Sequence, residues 1–129
     1  MLKESNIIRI AHRGNTHGRK PSLENDPAYI QSALDAGYHV EVDVWQEENQ
    51  YFLGHDGTRV KVGESFLENP HMICHAKNIN ALQSMLKNSN IHCFWHEEDK
   101  YTLTSMGWVW KYPEVYKDGI LFGVCGDWV

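Results

Sequence analysis

Glu41 and Asp43 stand two positions apart in "YHVEVDVWQ" (residues 38–46), a run that alternates strictly. On a strand, residues i and i+2 leave from the same face. Val40, Val42 and Val44 therefore point one way, and His39, Glu41, Asp43 and Trp45 the other. Two carboxylates held side by side out of water are costly unless a cation lies between them. Oxygen-only donors suit Mg²⁺ or Ca²⁺. The competing reading is a solvent-facing strand edge whose charges meet only water. The three valines argue that the strand is packed.

Two histidines end apolar runs in a similar way. "IIRIAHRGN" (7–15) closes on His12 and Arg13, and "YFLGHDG" (51–57) on His55 and Asp56. A lone histidine is more often structural, but two at strand ends can serve as the base and the acid of one displacement. Arg13 and Lys77 would supply positive charge for an anionic oxygen. Gly14 would let the backbone turn sharply and a ligand come close. A divalent ion, two histidines and two cations together describe phosphoryl transfer.

The elements that must position these groups follow from periodicity. Residues 6–12 read as a strand and "NTHGRKPSLEN" as a polar loop. Asp26 and Pro27 form a helix start, and Ile30, Ala33 and Leu34 give one apolar stripe, so a helix is expected over about 27–36. Strands are expected in "YHVEVDVWQ", "ENQYFLGHD", "HMICHAKN" and "IHCFWHEED", with His75 and Lys77 sharing a face of the third main strand. "NINALQSMLKN" reads as a helix that buries Ile79, Leu82, Met85 and Leu86. "YTLTSMG" looks like a shrunken helical turn, and "GWVWKYP" and "ILFGVCGDWV" like two more strands. Trp108 and Trp110 are read as core, Trp45 and Trp95 are left open, and His71 and His92 carry no assigned role. Strands alternating with helices point to parallel β/α packing. In such proteins the ligand site lies at the carboxyl ends of the strands. There the first strand carries His12 and Arg13, the second Glu41 and Asp43, the third His75 and Lys77, and the fourth His96, Glu97, Glu98 and Asp99.

The 129 residues suggest a single domain over 1–129. A net charge of −5 argues against non-specific nucleic-acid binding. No apolar run reaches the ~18 residues of a membrane span, and "MLKESN" lacks the pattern of a secretory signal. Cys74, Cys93 and Cys125 are widely spaced in apolar runs, with no C-x-x-C pair. They read as buried reduced thiols of a cytoplasmic protein.

Taken in order, "AHRGN…SLEN…EVDVW…LGHDG" resembles the glycerophosphodiester phosphodiesterase family, within the wider phospholipase C-like phosphodiesterase superfamily. The family's H-R-G, E-N-T, E-x-D and H-D match His12-Arg13-Gly14, Glu24-Asn25, Glu41-x-Asp43 and His55-Asp56. "HAKN" is more weakly similar to its third-strand E-x-K. The resemblance implies a TIM-type β/α barrel. It implies His12 and His55 as general base and acid, Mg²⁺ or Ca²⁺ on Glu41 and Asp43, and Arg13 and Lys77 on the phosphate. Glu24 and Asn25 would shape the first loop, with Glu24 at the metal or among the groups around it. In the family's usual proposal a neighbouring substrate hydroxyl attacks phosphorus through a cyclic phosphate. The implied role is hydrolysis of a glycerophosphodiester or similar small diester in lipid metabolism.

The chain departs from that pattern at three places. His75 stands where the family has a third metal carboxylate, and imidazole suits transition metals better than Mg²⁺ or Ca²⁺. The ion is then held less tightly, differs, or borrows Glu97 or Asp99. Asp26 replaces the threonine of E-N-T and caps a helix as well. The chain is also far below the ~250 residues of a full barrel. The expected architecture is thus an α/β, truncated or pared-down TIM-type barrel with about six main strands, whose open edges dimerisation could cover. Two other functional classes compete: a non-catalytic binding module for a phosphorylated metabolite or lipid head group, and an assembly protein that works through its edges.

Overall fold

The structure, a computed structural model, describes residues 7–111 and 120–124. Four strands run parallel and neighbour one another: β1 (Ile7–His12), β2 (His39–Glu47), β5 (Met72–Ala76) and β6 (Cys93–Phe94), in the order β6-β5-β2-β1. β2 is long enough to serve several partners. Its first residues pair with β1, with His12 opposite Glu41. Its middle pairs with β5 on the other edge, with Asp43 opposite His75. Its end pairs antiparallel with β3 (Gln50–Leu53), which carries β4 (Val60–Val62).

The crossovers are short helices on one face. α1 (Pro27–Asp35) starts where expected: the Asp26 carboxylate accepts from the backbone N–H groups of Ala28 and Tyr29, and Pro27 holds the first helical position. α2 (Glu64–Leu67) lies before β5. α3 (Ile79–Leu86) follows it, capped by Asn78, whose side chain accepts from Ala81 N–H. Asn78 also bonds both backbone groups of Gln46, at 3.1 and 2.9 Å, and so pins the start of α3 to β2. Between helices and sheet lies the main core: Val40, Val42 and Val44 from β2, Met72, Cys74 and Ala76 from β5, and Ile30, Ala33, Ala81 and Met85 from the helices. Each fully buried aliphatic side chain there contributes roughly 1.5–3 kcal/mol.

The expected barrel does not form. Among the described residues the sheet has nine strands rather than about six, and it is mixed and not closed. β9 (Ile120–Val124) lies antiparallel to β1, β8 (Val109–Lys111) antiparallel to β9, and β7 (Tyr101–Leu103) antiparallel to β8. The physical reason lies in the connections. A parallel neighbour needs a crossover of a dozen or more residues, and only residues 104–108 separate β7 from β8. The segment read as a helical turn, "YTLTSMG", is instead β7 and the turn after it. The apolar stripe of α3 is also narrower than expected. Met85 and Ala81 are buried and Leu82 partly so, while Ile79 and Leu86 are exposed.

The sheet is nonetheless strongly curved. Phe94 of β6 and Trp110 of β8 stack with ring centroids 4.8 Å apart. Five strand-to-strand steps separate them, which in a flat sheet would span roughly 24 Å. The concave side therefore encloses a second apolar cluster of Ile10, Ile73, Phe94 and Trp110, with Trp108 packed against it. Ser105 N–H donates to Cys93 O at 2.9 Å, and Cys93 N–H to Ser105 Oγ at 2.8 Å. These bonds bring β6 near the β7–β8 turn without a strand ladder between them. Cys74 and Cys93 are free, buried and in register on neighbouring strands, and burial pushes both thiols up. Cys125 lies outside the described residues. Among the described residues no helix is long and apolar enough to cross a membrane.

Candidate metal and phosphate site

Strand alternation puts His12, Glu41, Asp43 and His75 on the concave side, just beyond its apolar cluster. Register then makes two cross-strand pairs of them: His12 beside Glu41, and Asp43 beside His75. Glu41, Asp43 and His75 each offer one donor atom within 4.8 Å of the others. Both carboxyl groups are only 1% exposed. Among the described residues Glu41 Oε1 and Asp43 Oδ1 have no hydrogen-bond partner. Orphaned buried carboxylate oxygens are rare, because each forfeits its hydration. A divalent cation fits this donor set: the oxygens and the His75 nitrogen face one small space.

His12 and His55 approach the carboxylates from opposite ends. His12 Nε2 lies 3.7 Å from Glu41 Oε1, and His55 Nδ1 lies 3.3 Å from Asp43 Oδ2. The other His55 nitrogen, Nε2, is 3.3 Å from Arg13 Nη2. A guanidinium can only donate, so Nε2 accepts there and the Nδ1–H faces Asp43.

Arg13 is the hub of the cluster. Its Nη1 donates to Glu24 Oε1 at 3.1 Å, and its Nε is 3.1 Å from Asp43 Oδ2. Burial disfavours the charged guanidinium, but Asp43, Glu41 and Glu24 outweigh it and hold Arg13 more firmly protonated than usual. Asp43 shows the same balance in reverse. Burial opposes ionisation, yet a bond from His55, the His75 ring 3.3 Å away, the charge of Arg13 and a bond from Asn25 keep it ionised well below the usual carboxylate range. His75 loses by burial and gains more from Asp43 and Glu41, which raise it to about 9.

The first loop holds these groups by unusual backbone. Arg13 and Asn25 both adopt positive φ, 57° and 63°, and Asn25 N–H donates to Arg13 O at 3.1 Å. Such conformations cost about 1–3 kcal/mol and persist only where the surroundings over-determine them. Gly14 (φ 91°) completes the turn; a Cβ there would meet Tyr29 at 3.0 Å. Glu24 is buried and accepts from Arg13, Asn15 and Arg19. It therefore braces Arg13 and stands outside the Glu41, Asp43 and His75 cluster. Burial raises its pKa, but the bonds from Asn15, Arg13 and Arg19 bring it below the ordinary value.

The remaining expected residues sit further out. Asp56 is almost fully exposed, 3.7 Å from His55 Nε2. Lys77 N–H donates to Val44 O, and among the described residues its ammonium makes no ion pair. Glu97, Glu98 and Asp99 are exposed and do not join the cluster.

A cavity of about 320 Å³ opens beside Arg13 and His55, lined among others by Arg19, Glu24, Gly54 and Arg59. It lies on the arginine side of the site; His12, Glu41, Asp43 and His75 do not line it. Arg59 donates to the carbonyls of Glu24 and Ser22 and ties the first loop to the β3–β4 connection. Neither Arg59 nor Arg19 was legible as a site residue, since each is one charge in a polar loop without periodicity. Asn15 ends the quoted "IIRIAHRGN", but nothing local announces that it will hold Glu24. Comparison with protein-family models, with curated proteins and with solved structures found no match.

Proposed function

We propose that the protein is a metal-dependent phosphodiesterase that hydrolyses a small phosphodiester, of the glycerophosphodiester kind. The observation that carries this reading is the buried Glu41 and Asp43 pair. It has two unpartnered oxygens and His75 beside it, with His12 at one end and His55 at the other. The ordered match of His12-Arg13-Gly14, Glu24-Asn25, Glu41-x-Asp43 and His55-Asp56 to the family's motifs supports it too. A divalent cation bound there would polarise a phosphoryl oxygen as a Lewis acid.

The chain's own residues would do the rest. Arg13 and Arg59 line a cavity at the small end of the range for small-molecule sites, and guanidinium groups match phosphate oxygens. A phosphate that engages Arg13 draws Nη2 away from His55 Nε2 and frees that nitrogen for proton transfer. His12 and His55 then divide the two proton movements, one taking a proton from the attacking hydroxyl and the other protonating the departing oxygen. Lys77, which pairs with no carboxylate among the described residues, adds positive charge for the anionic oxygens.

The test is hydrolysis of glycerophosphocholine and related diesters by the whole chain with a series of divalent ions. His12→Ala and His55→Ala should each lose roughly 10²–10⁴-fold in rate. Activity that survives both substitutions sinks the histidine assignment.

A binding module for a phosphorylated metabolite or lipid head group is the second reading. It is favoured by one feature: His55 Nε2, a nitrogen that catalysis needs, is capped by Arg13. Calorimetric binding of such a ligand without turnover under any divalent ion would select it.

A further inference from the structure

We propose that His75 sets the ion preference of the Glu41 and Asp43 cluster, directing it to a first-row transition ion such as Mn²⁺ or Zn²⁺ rather than Mg²⁺ or Ca²⁺. The inference rests on the metal reading of the site, and not on diester hydrolysis.

The position of the ring comes first. Its Nδ1 lies 3.3 Å from Asp43 Oδ1 and 3.6 Å from Glu41 Oε2. Among the described residues Asp43 Oδ1 and Glu41 Oε1 make no hydrogen bond. The register of β5 against β2 dictates this approach, because His75 is the direct neighbour of Asp43.

The orientation of the ring comes second. His75 Nε2 lies 3.1 Å from His96 O. A carbonyl only accepts, so Nε2 carries its hydrogen toward it. An incoming cation then displaces the Nδ1 proton that faces the two carboxylates and takes the lone pair left on that nitrogen. The ring also stacks on Phe94, centroids 4.9 Å apart and planes within 10°, which removes its rotational freedom. A histidine whose second N–H is tied to a backbone carbonyl is the arrangement that fixes metal-ligating imidazoles.

The chemistry of the donors comes third. Ca²⁺ takes six to eight oxygens and Mg²⁺ an octahedron of oxygens. Here one of three inward donors is nitrogen, and the nearby acids Glu97, Glu98 and Asp99 are exposed and outside the cluster. Imidazole gains affinity with transition ions, while carboxylates alone favour the hard ones. Replacing a carboxylate by His75 thus lowers the charge that holds Mg²⁺ or Ca²⁺ and adds a donor that those ions use poorly.

The experiment is calorimetric titration of the whole, untagged chain with Mg²⁺, Ca²⁺, Mn²⁺ and Zn²⁺, repeated on His75→Glu. Zn²⁺ exceeds Mg²⁺ at most nitrogen and oxygen sites, so the deciding quantity is the change in ratio. The Zn²⁺-to-Ca²⁺ affinity ratio should fall at least tenfold in His75→Glu. Pulsed electron paramagnetic resonance of the Mn²⁺-loaded wild type should show coupling to a directly bound ¹⁴N, lost in the variant. If His75→Glu fails to fold, the wild-type nitrogen coupling decides alone. An unchanged ratio, or Mn²⁺ bound without nitrogen coupling, overturns the inference and leaves a cation site standing. Failure of every ion to bind overturns the metal reading as well. The expected preference without diester hydrolysis upholds the inference and removes only the phosphodiesterase reading.

Discussion

Asn25 grips Asp43 twice: its amide Nδ2 donates to Asp43 Oδ2 at 3.0 Å, and its Oδ1 accepts from Asp43 N–H at 2.9 Å. Both residues are buried, and Asn25 sits at φ 63°. Asparagine is one of the few side chains that tolerates this region. The pair joins the first loop to the middle of β2, so the loop that carries Arg13 and Glu24 is positioned by the same carboxylate that Arg13 neutralises.

Removing this grip should cost stability in a way that separates amide from backbone. Asn25→Gly keeps the left-handed backbone and deletes the amide, leaving buried polar groups on Asp43 unmet, at a cost of about 1–3 kcal/mol. Asn25→Asp keeps the size but sets a second carboxylate against Asp43, and should be worse. Urea denaturation midpoints check the order wild type, Asn25→Gly, Asn25→Asp. A glycine variant as stable as wild type would show that the amide contributes nothing.

Gly54 should be intolerant of a side chain, and Gly57 tolerant. A Cβ on Gly54 would lie 1.9 Å from Gly57 O, with φ already at 154°, whereas a Cβ on Gly57 meets nothing within 4 Å. Gly54 is also held in place, since Trp45 Nε1–H donates to its carbonyl at 2.7 Å and its own N–H donates to Asp43 O. Gly54→Ala must therefore shift the backbone that leads into His55, and should lose at least about 1–3 kcal/mol. Gly57→Ala should stay within about 0.5 kcal/mol of wild type. Equal denaturation midpoints for the two variants would refute the clash.

How far these relationships were legible depends on the kind of information they need. β1, α1 and β2 follow from local pattern: alternation around Val40 to Val44, and the Asp26-Pro27 start. The face shared by His12, Glu41, Asp43 and His75 follows from the same period of two. Strand direction is not local. The segments 109–111 and 120–124 have strand character whichever way they run, so the antiparallel return of β9 onto β1 could not be read from them. The short β4 and α2 hide in a polar stretch, because three or four residues carry too little periodicity. The pairings that shape the site are longer-range still. The bond from His75 to His96 O spans 21 positions, and the one from Arg59 to Glu24 O spans 35. Acidic residues after Phe94 were expected to converge on the pocket; they turn outward because β6 ends at Phe94.

Stability should fall as pH drops from 7 toward 4, through a histidine far from the carboxylates. His92 is buried, its ring edge against Trp108 at 4.8 Å and its Nε2 2.6 Å from Thr104 Oγ1. Burial first, and the nearby His39 second, lower its pKa to about 4. Above about pH 6.5 both folded and unfolded chains hold it neutral. Below that the unfolded chain takes up a proton and the folded chain does not, so folding weakens until the folded pKa is reached. Between pH 7 and 5 the loss from this residue should be about 1–2 kcal/mol. His92→Gln keeps a polar group for Thr104 and does not titrate, so its urea midpoint should vary less over the same interval. Parallel pH profiles for the two proteins would remove His92 as the cause.

Heat stability should respond to divalent ions, because an ion that satisfies Glu41 Oε1 and Asp43 Oδ1 binds only where those oxygens are already assembled. The unfolded chain scatters them. Binding to the folded state alone adds about 2.7 kcal/mol at a hundredfold excess over Kd, which for a chain of this size raises Tm by on the order of 10 °C. A chelator should reverse the shift. Asp43→Asn removes an anionic ligand and should abolish it, while Glu64→Gln, at an exposed position on α2 outside the cluster, should leave it intact. Differential scanning calorimetry with and without each ion checks this. A Tm that ignores Mg²⁺, Ca²⁺, Mn²⁺ and Zn²⁺ at millimolar concentration would mean that Arg13 and His75 alone compensate the buried carboxylates, and the cation reading would fall.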